Sequence, residues 1–279
     1  MAAFCGSNSR IYNKGSSRAL YAYEQETNSS QAVLVPYIKN PDFVERSEVL
    51  HQLKLLFGHQ KSHGQITQSR SRVALYGLGG IGKTQIALAY VFWLQHVHPD
   101  ISVFWVHASN AERFYQAYSS IAQECGIPGY DDPQADMLAL VKAWLGKESQ
   151  GRWLMVIDNA DDLQLFFPPS ESNTTNMHQL AQPQGGFGHY LPECHHGSVL
   201  ITTRNKQVGS RLVRGKQVIE VKKMVDSETR QLIHAILDDE IPAEDVSLLS
   251  TRLEYLPLAL AQAAAFMLSQ RIRTAIRRK

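Results

Sequence analysis

The chain has 279 residues, 44% of them hydrophobic, enough for a globular protein with one large domain and a smaller appendage, which excludes a disordered polypeptide. Lys and Arg number 28 against 26 Asp and Glu, a net charge of +2, which argues against nucleic acid or an anionic membrane surface as the main partner. Cys5, Cys125 and Cys194 are odd in number and far apart, so no disulfide framework is legible and a reducing, cytoplasmic setting is expected.

Residues 1–35 are rich in Ser, Asn and Gln without sustained periodicity and read as a flexible tail or linker. Their start is basic and free of acids up to Glu24, a transit-peptide trait, but it has neither a clear amphipathic face nor the apolar run of a secretory signal. Pro36 and Pro41 punctuate an extended entry, after which Val49, Leu53 and Leu56 share one helical face within residues 44–57.

RVALY (72–76) is a compact apolar strand ending in glycines, and the helix after it carries Ile86, Tyr90, Leu94 and Val97 on one stripe before Pro99 stops it. VFWVH (103–107) is the next strand, followed by a helix with Phe114, Tyr118, Ile121 and Cys125. Asp132 and Pro133 are expected to cap and open a third helix bearing Leu138, Val141 and Leu145. WLMVI (153–157), SVLIT (198–202) and QVIEV (217–221) complete the strands; the first two are apolar on both faces, as a helix-covered parallel sheet requires. Residues 166–197, polar and rich in Gly and Pro, read as a long surface loop.

From Asp226 the pattern is helical only, over about 227–237, 243–254 and 258–270. YLPLALAQAAAFML (255–268) is too short for a membrane span and is interrupted by Pro257 and Gln262, so a buried helix in a soluble protein is expected. The expected architecture is α/β: a P-loop-type parallel sheet sandwiched by helices over 36–225, a small all-helical subdomain over 226–270, and a basic tail over 271–279.

GLGGIGKT (77–84) satisfies two phosphate-binding patterns at once. Gly77, Gly79 and Gly82 fit the G-x-G-x-x-G of dinucleotide folds; Gly77, Gly82, Lys83 and Thr84 fit the G-x-x-x-x-G-K-[ST] of P-loop NTPases. Glycine serves both in the same way, by letting backbone N–H groups approach phosphate oxygens at a helix N-terminus. A dinucleotide fold also needs an acid at the end of its second strand; His107, Ala108 and Ser109 stand there instead, and Glu112 falls inside a helix.

The P-loop reading accounts for Lys83, which reaches the β- and γ-phosphates, and for Thr84, a ligand of the bridging Mg2+. Asp158, directly after an apolar strand, is the second magnesium handle, and Arg204, at the end of SVLITTR, is placed to read the terminal phosphate. The catalytic roles therefore fall to Asp158 and Arg204, and the metal to Thr84 and Asp158. Asn205, Lys206 and Gln207 begin the guanine-reading N-K-x-D, but Val208 stands where the carboxylate belongs, so the expected ligand is ADP or ATP.

These motifs, in this order, resemble the NB-ARC family of STAND ATPases. FVERSEVLHQL (43–53) is similar to the family's entry motif, with Arg46 and Glu48 matching and Glu45 and Ser47 in place of the usual Gly and Glu. VFWVHASN resembles its second-strand motif, LMVIDNADD its Walker B, GSVLITTRN its sensor strand and LEYLPLALAQAAAFM (253–267) its Leu-Pro-Leu-Ala helix. The resemblance implies nucleotide contacts from Val44, Arg46, Gly77, Gly79, Gly80, Ile81, Gly82, Lys83, Thr84, Gln85 and Pro257, with Pro257 against base and ribose. It also implies a switch that ADP holds closed and ATP releases for self-assembly through the nucleotide-binding domain. The family's winged helix and ligand-sensing repeats are not legible here, so the chain looks like a short form.

Two other readings stay open. A turnover ATPase wants a carboxylate to activate water, and the position after Asp158 is Asn159, an amide, with Asp161 and Asp162 close by. A degenerate scaffold acts through protein contacts alone. Cys194, His195 and His196 read as a solvated loop, and no metal other than Mg2+ is assigned.

Overall fold

The computed structural model describes residues 31–59, 72–169, 186–215, 217–237 and 241–277, with side chains as far as residue 270. Within them, β1 (Val33–Leu34), β2 (Arg72–Tyr76), β3 (Ser102–His107), β4 (Trp153–Asp158), β5 (Gly197–Thr203) and β6 (Val218–Glu220) form one sheet in the order β1-β3-β4-β5-β2-β6. Every neighbouring pair is parallel. Such pairing demands crossovers, and the intervening helices are α1 (Ser47–Leu56), α2 (Lys83–Val97), α3 (Ala111–Glu124), α4 (Met137–Leu145), α5 (Leu163–Phe166) and α6 (Lys206–Val213).

Alternation along the strands sorts their side chains into two cores. Phe104, Val106, Met155, Ile157, Val199 and Ile201 pack with residues of α3, α4 and α6, whereas Val73, Leu75, Val103, Trp105, Leu154, Val156 and Leu200 pack with α1 and α2. Burial on both faces is why these strands carry polar residues almost only at their ends.

The chain ends in α7 (Asp226–Leu237), α8 (Ala243–Arg252) and α9 (Pro257–Arg277). These helices enclose a third core of Leu232, Ile233, Leu237, Val246, Leu260 and Ala264, completed by Met224 from the loop after β6 and by Val44 from the entry segment.

Besides α9 running on to Arg277 through residues expected to form a basic tail, three details differ from the sequence expectation. Val33 and Leu34, inside the stretch expected to be a tail, pair with Val103 and Phe104 as the sheet's edge; a two-residue strand is too short to leave a periodicity, and residues 1–30 lie outside the described residues. At the far end of the expected surface loop, Phe187 and Leu191 are buried, with Phe187 against Phe114 at 4.7 Å between ring centroids. Two apolar side chains in one helical turn carry no readable pattern; residues 170–185 of that loop lie outside the described residues.

The third detail is a cap. α4 starts at Met137, and Asp136 accepts hydrogen bonds from Leu138 N and Ala139 N, while Asp132 accepts from Gln134 N in the preceding turn. Both aspartates satisfy local N–H groups, but only the one adjoining the periodic stripe opens the helix.

Candidate functional site

β2 delivers the chain at Tyr76 to the carboxyl edge of the sheet, where residues 77–82 turn into α2. Gly82 precedes the helix with φ 93° and Gly80 has φ 75°, left-handed values that favour glycine at both places. Lys83, the first residue of α2, is buried, and its Nζ donates to the carbonyls of Gly77 and Leu78, 2.8 Å each, so the loop closes around its ammonium. Burial pulls the Lys83 pKa below the usual lysine value; Asp161 counters this, Arg204 adds to it, and Asp158 also counters it.

Beside β2 lies β5, ending at Thr203 and Arg204, and beyond it β4, ending at Asp158. Strand β5 thus separates the loop from the aspartate strand, and the gap is spanned by side chains. Thr84 Oγ1 donates to Asp158 Oδ1 at 2.9 Å, and Thr202 Oγ1 donates to the same oxygen at 2.6 Å. Asp158 is fully buried, and its Oδ2 has no hydrogen-bond partner; His107 Nδ1, on the neighbouring strand β3, stands 3.9 Å away. His107 Nε2 in turn meets the Tyr37 hydroxyl at 2.9 Å.

A buried carboxylate oxygen lacking a donor is costly. The Thr84 hydroxyl and the Asp158 carboxylate are hard oxygen donors, the set that suits Mg2+ when phosphate and water complete its shell. The residues present therefore fit the metal that the sequence implies. Among the described residues no group of three or more His, Cys, Asp or Glu offers another metal site.

Arg204 reaches the same edge. Its Nε meets Asp161 Oδ2 at 3.1 Å and its backbone N donates to Asp161 Oδ1 at 2.6 Å. The guanidinium overlies the loop, since a Cβ placed on Gly79 would sit 3.5 Å from it. Asn159 has φ 61°, and its N donates to Thr202 Oγ1 at 3.0 Å, so Thr202 links the two residues at the end of β4.

The helices close the site from above. Leu258 N, in the first turn of α9, donates to Gly80 O at 3.2 Å, and Pro257 approaches Gly82. Between loop and helices lies a cleft of about 380 Å³. The phosphate loop and strand ends line it with Gly79, Gly80, Ile81, Gly82, Lys83, Thr84, Gln85, Asn159 and Arg204; the terminal helices and entry segment add the apolar Val44, Met224, Leu232, Pro257 and Ala261, beside the polar Asn40, Asp42 and Arg46.

Most of the expected site residues therefore line this cleft; Asp158 is fully buried and touches it only through Thr84, and two others behave differently. Gly77 does not line the cleft: its N donates to Thr203 O, its O accepts from Lys83, and a Cβ on it would lie 2.7 Å from Val221 O. Its role is to let the loop pass the neighbouring chain. Arg46 lines the cleft, but its guanidinium is engaged elsewhere, with Glu228 at 3.1 Å and the carbonyls of Lys222 and Lys223 at 2.8 and 3.3 Å, leaving Nη1 buried without a partner. Thr202, Asp161 and Leu258 were missed as site residues. TTR and DNADD carry the first two, but nothing in the sequence says which way they point.

A family model described as an AAA domain matches residues 66–191. The chain carries an AAA-type P-loop NTPase domain. Domain III of the replication initiation protein DnaA from Thermotoga maritima shares its fold, with a TM-score of 0.53 and 14% identity over 86% of this chain and 92% of that one. A Walker-type ATPase of Pyrococcus abyssi has a TM-score of 0.52 and 12% identity over 80% of this chain and 67% of that one.

A nucleotide-binding leucine-rich repeat (NLR)-like protein of Hyaloscypha variabilis is 35% identical over 241 residues, 85% of this chain but 23% of that protein. The chain thus spans less than a quarter of that relative's length. A P-loop NTPase domain implies nucleotide binding, usually with Mg2+, and no described helix is long and apolar enough to cross a membrane.

Proposed function

We propose that the chain is an adenine-nucleotide switch of the NB-ARC kind, in which ADP holds α7–α9 against the P-loop and exchange for ATP releases them for assembly with further copies. The observation that carries this reading is the contact from Leu258 N to Gly80 O. It places the phosphate loop and the terminal helices on the two walls of one cleft, so whatever fills the cleft touches both. Residues 36–225 are the nucleotide-binding part and 226–270 the helical part of the switch, acting in a cytoplasmic signalling setting. The NLR-like description of the fungal relative supports that setting.

The apolar wall suits a base, and the guanine alternative is disfavoured twice: Val208 lacks the carboxylate, and the Asn205 side chain is committed to capping α6 through Gln207 N and Val208 N. Thr84 and Asp158 would hold Mg2+, which supplies charge neutralisation for the phosphates.

Slow hydrolysis at most is expected. Asn159 is an amide, Asp161 is occupied by Arg204, and Asp162 caps α5 by accepting from Gln164 N and Leu165 N. None of the three is placed as a base for water.

A switch between 1:99 and 99:1 needs about 5.5 kcal/mol of differential affinity. Thermal unfolding with ADP at ~100 times its dissociation constant should show a gain of about 2.7 kcal/mol that Lys83→Ala abolishes. Equal melting of both proteins with and without ADP would leave a scaffold as the better account, and steady turnover well above about one per second would make it an ATPase.

A further inference from the structure

We propose that Asp161 sets the preference of this site between nucleoside di- and triphosphates, by retaining Arg204 against the pull of a third phosphate. The inference rests on the reading of the cleft as a nucleotide site.

Both oxygens of Asp161 are committed to one residue, Oδ1 to the backbone N of Arg204 at 2.6 Å and Oδ2 to its Nε at 3.1 Å. This two-point hold fixes the direction of an arginine side chain that is otherwise 65% exposed. The held guanidinium lies over Gly79 of the phosphate loop.

A fixed negative charge therefore already holds a cation that a terminal phosphate would approach. A diphosphate ends short of this pair. A triphosphate must draw Arg204 away from Asp161 and also accept the repulsion of the carboxylate. Both costs fall on ATP and neither on ADP. The pair is partly exposed, so solvent screening keeps the effect near one order of magnitude.

The test is calorimetric titration of the full chain at fixed Mg2+ with ADP and with adenosine 5′-(β,γ-imido)triphosphate. Asp161→Asn keeps the shape and an oxygen for Arg204 N, but removes the charge and turns an amide donor toward Nε. Asp161→Ser also removes the charge, with a shorter side chain that carries one hydroxyl and no amide, and Asp161→Glu retains the charge. Asn and Ser should tighten the triphosphate about tenfold, ~1.4 kcal/mol, and leave ADP within about twofold, while Glu stays near the wild-type ratio.

If the triphosphate is unchanged or weakened in Asn and Ser while ADP still binds, Asp161 does not oppose the third phosphate, and the inference is wrong although the cleft reading stands. If neither nucleotide gives heat with the wild type, the cleft reading itself fails and takes the inference with it.

Discussion

Thr202→Val is the sharpest test of how the site is held together. The hydroxyl of Thr202, fully buried, donates to Asp158 Oδ1 at 2.6 Å and accepts from Asn159 N at 3.0 Å. Valine matches the shape, so no cavity opens and the loss is purely polar. A hydrogen bond to a carboxylate contributes about 1.5–3 kcal/mol, and a backbone N–H deprived of its partner costs about 1–3 kcal/mol. Asn159 is only half-buried and is partly rehydrated. We therefore expect a loss of about 2–4 kcal/mol, read as the shift in urea midpoint multiplied by a shared slope, with Thr202→Ser near wild type. The variant should also weaken Mg2+-dependent nucleotide binding more than Mg2+-free binding, because Asp158 keeps only the Thr84 donor among its hydroxyl partners. A loss below about 0.5 kcal/mol, the scatter of ordinary surface substitutions, would refute the claim that Thr202 braces the aspartate.

Two further outcomes follow from buried charge. Arg72, 6% exposed, donates to the carbonyls of Leu212, Leu191 and Pro192 and pairs with Glu193 at 3.0 Å, so Arg72→Met should cost about 1–3 kcal/mol for each carbonyl left buried without a donor, read by chemical denaturation. Glu193 keeps Arg214 at 2.6 Å and does not share in that loss. His59 has its pKa lowered to about 4, first by burial and then by His98 and Arg152. The folded state thus binds its proton less readily than the unfolded state, and stability should fall as pH drops from about 6.5 toward 4. Half exposure reduces the expected contribution to about 1 kcal/mol, and His59→Gln should remove it from the pH dependence of the melting midpoint.

Where pattern and physics coincide, the sequence was legible. RVALY, WLMVI and SVLIT are buried on both faces, and that demand writes itself into composition. Lys83, Thr84, Asp158 and Arg204 stand at strand ends or a helix start, positions a parallel sheet brings to one edge whatever its detailed packing. What was illegible depended on partners far along the chain. Arg46 bonds to a carbonyl 176 residues away, and Asp161 to a backbone N 43 residues away, through registers no local spacing encodes. β1 and the Phe187 turn were missed because they are too short to repeat a period. Asp132 misled because it caps a real turn four residues before the helix cap.

Val44 sits in the core of the terminal helices, and its neighbour but one, Arg46, grips Glu228 of α7. Besides the hydrogen bond from Leu258 to Gly80, the bundle is accordingly clasped at two points of the chain, once after β6 and once before α1. Any rotation of α7–α9 must either tear both clasps or haul the entry segment with it. In the second case α1 is drawn along α2, which Lys54 meets at Trp93 and Phe57, just past the end of α1, meets at Tyr90, so motion of the bundle is passed to the middle and far half of the helix that begins with Lys83.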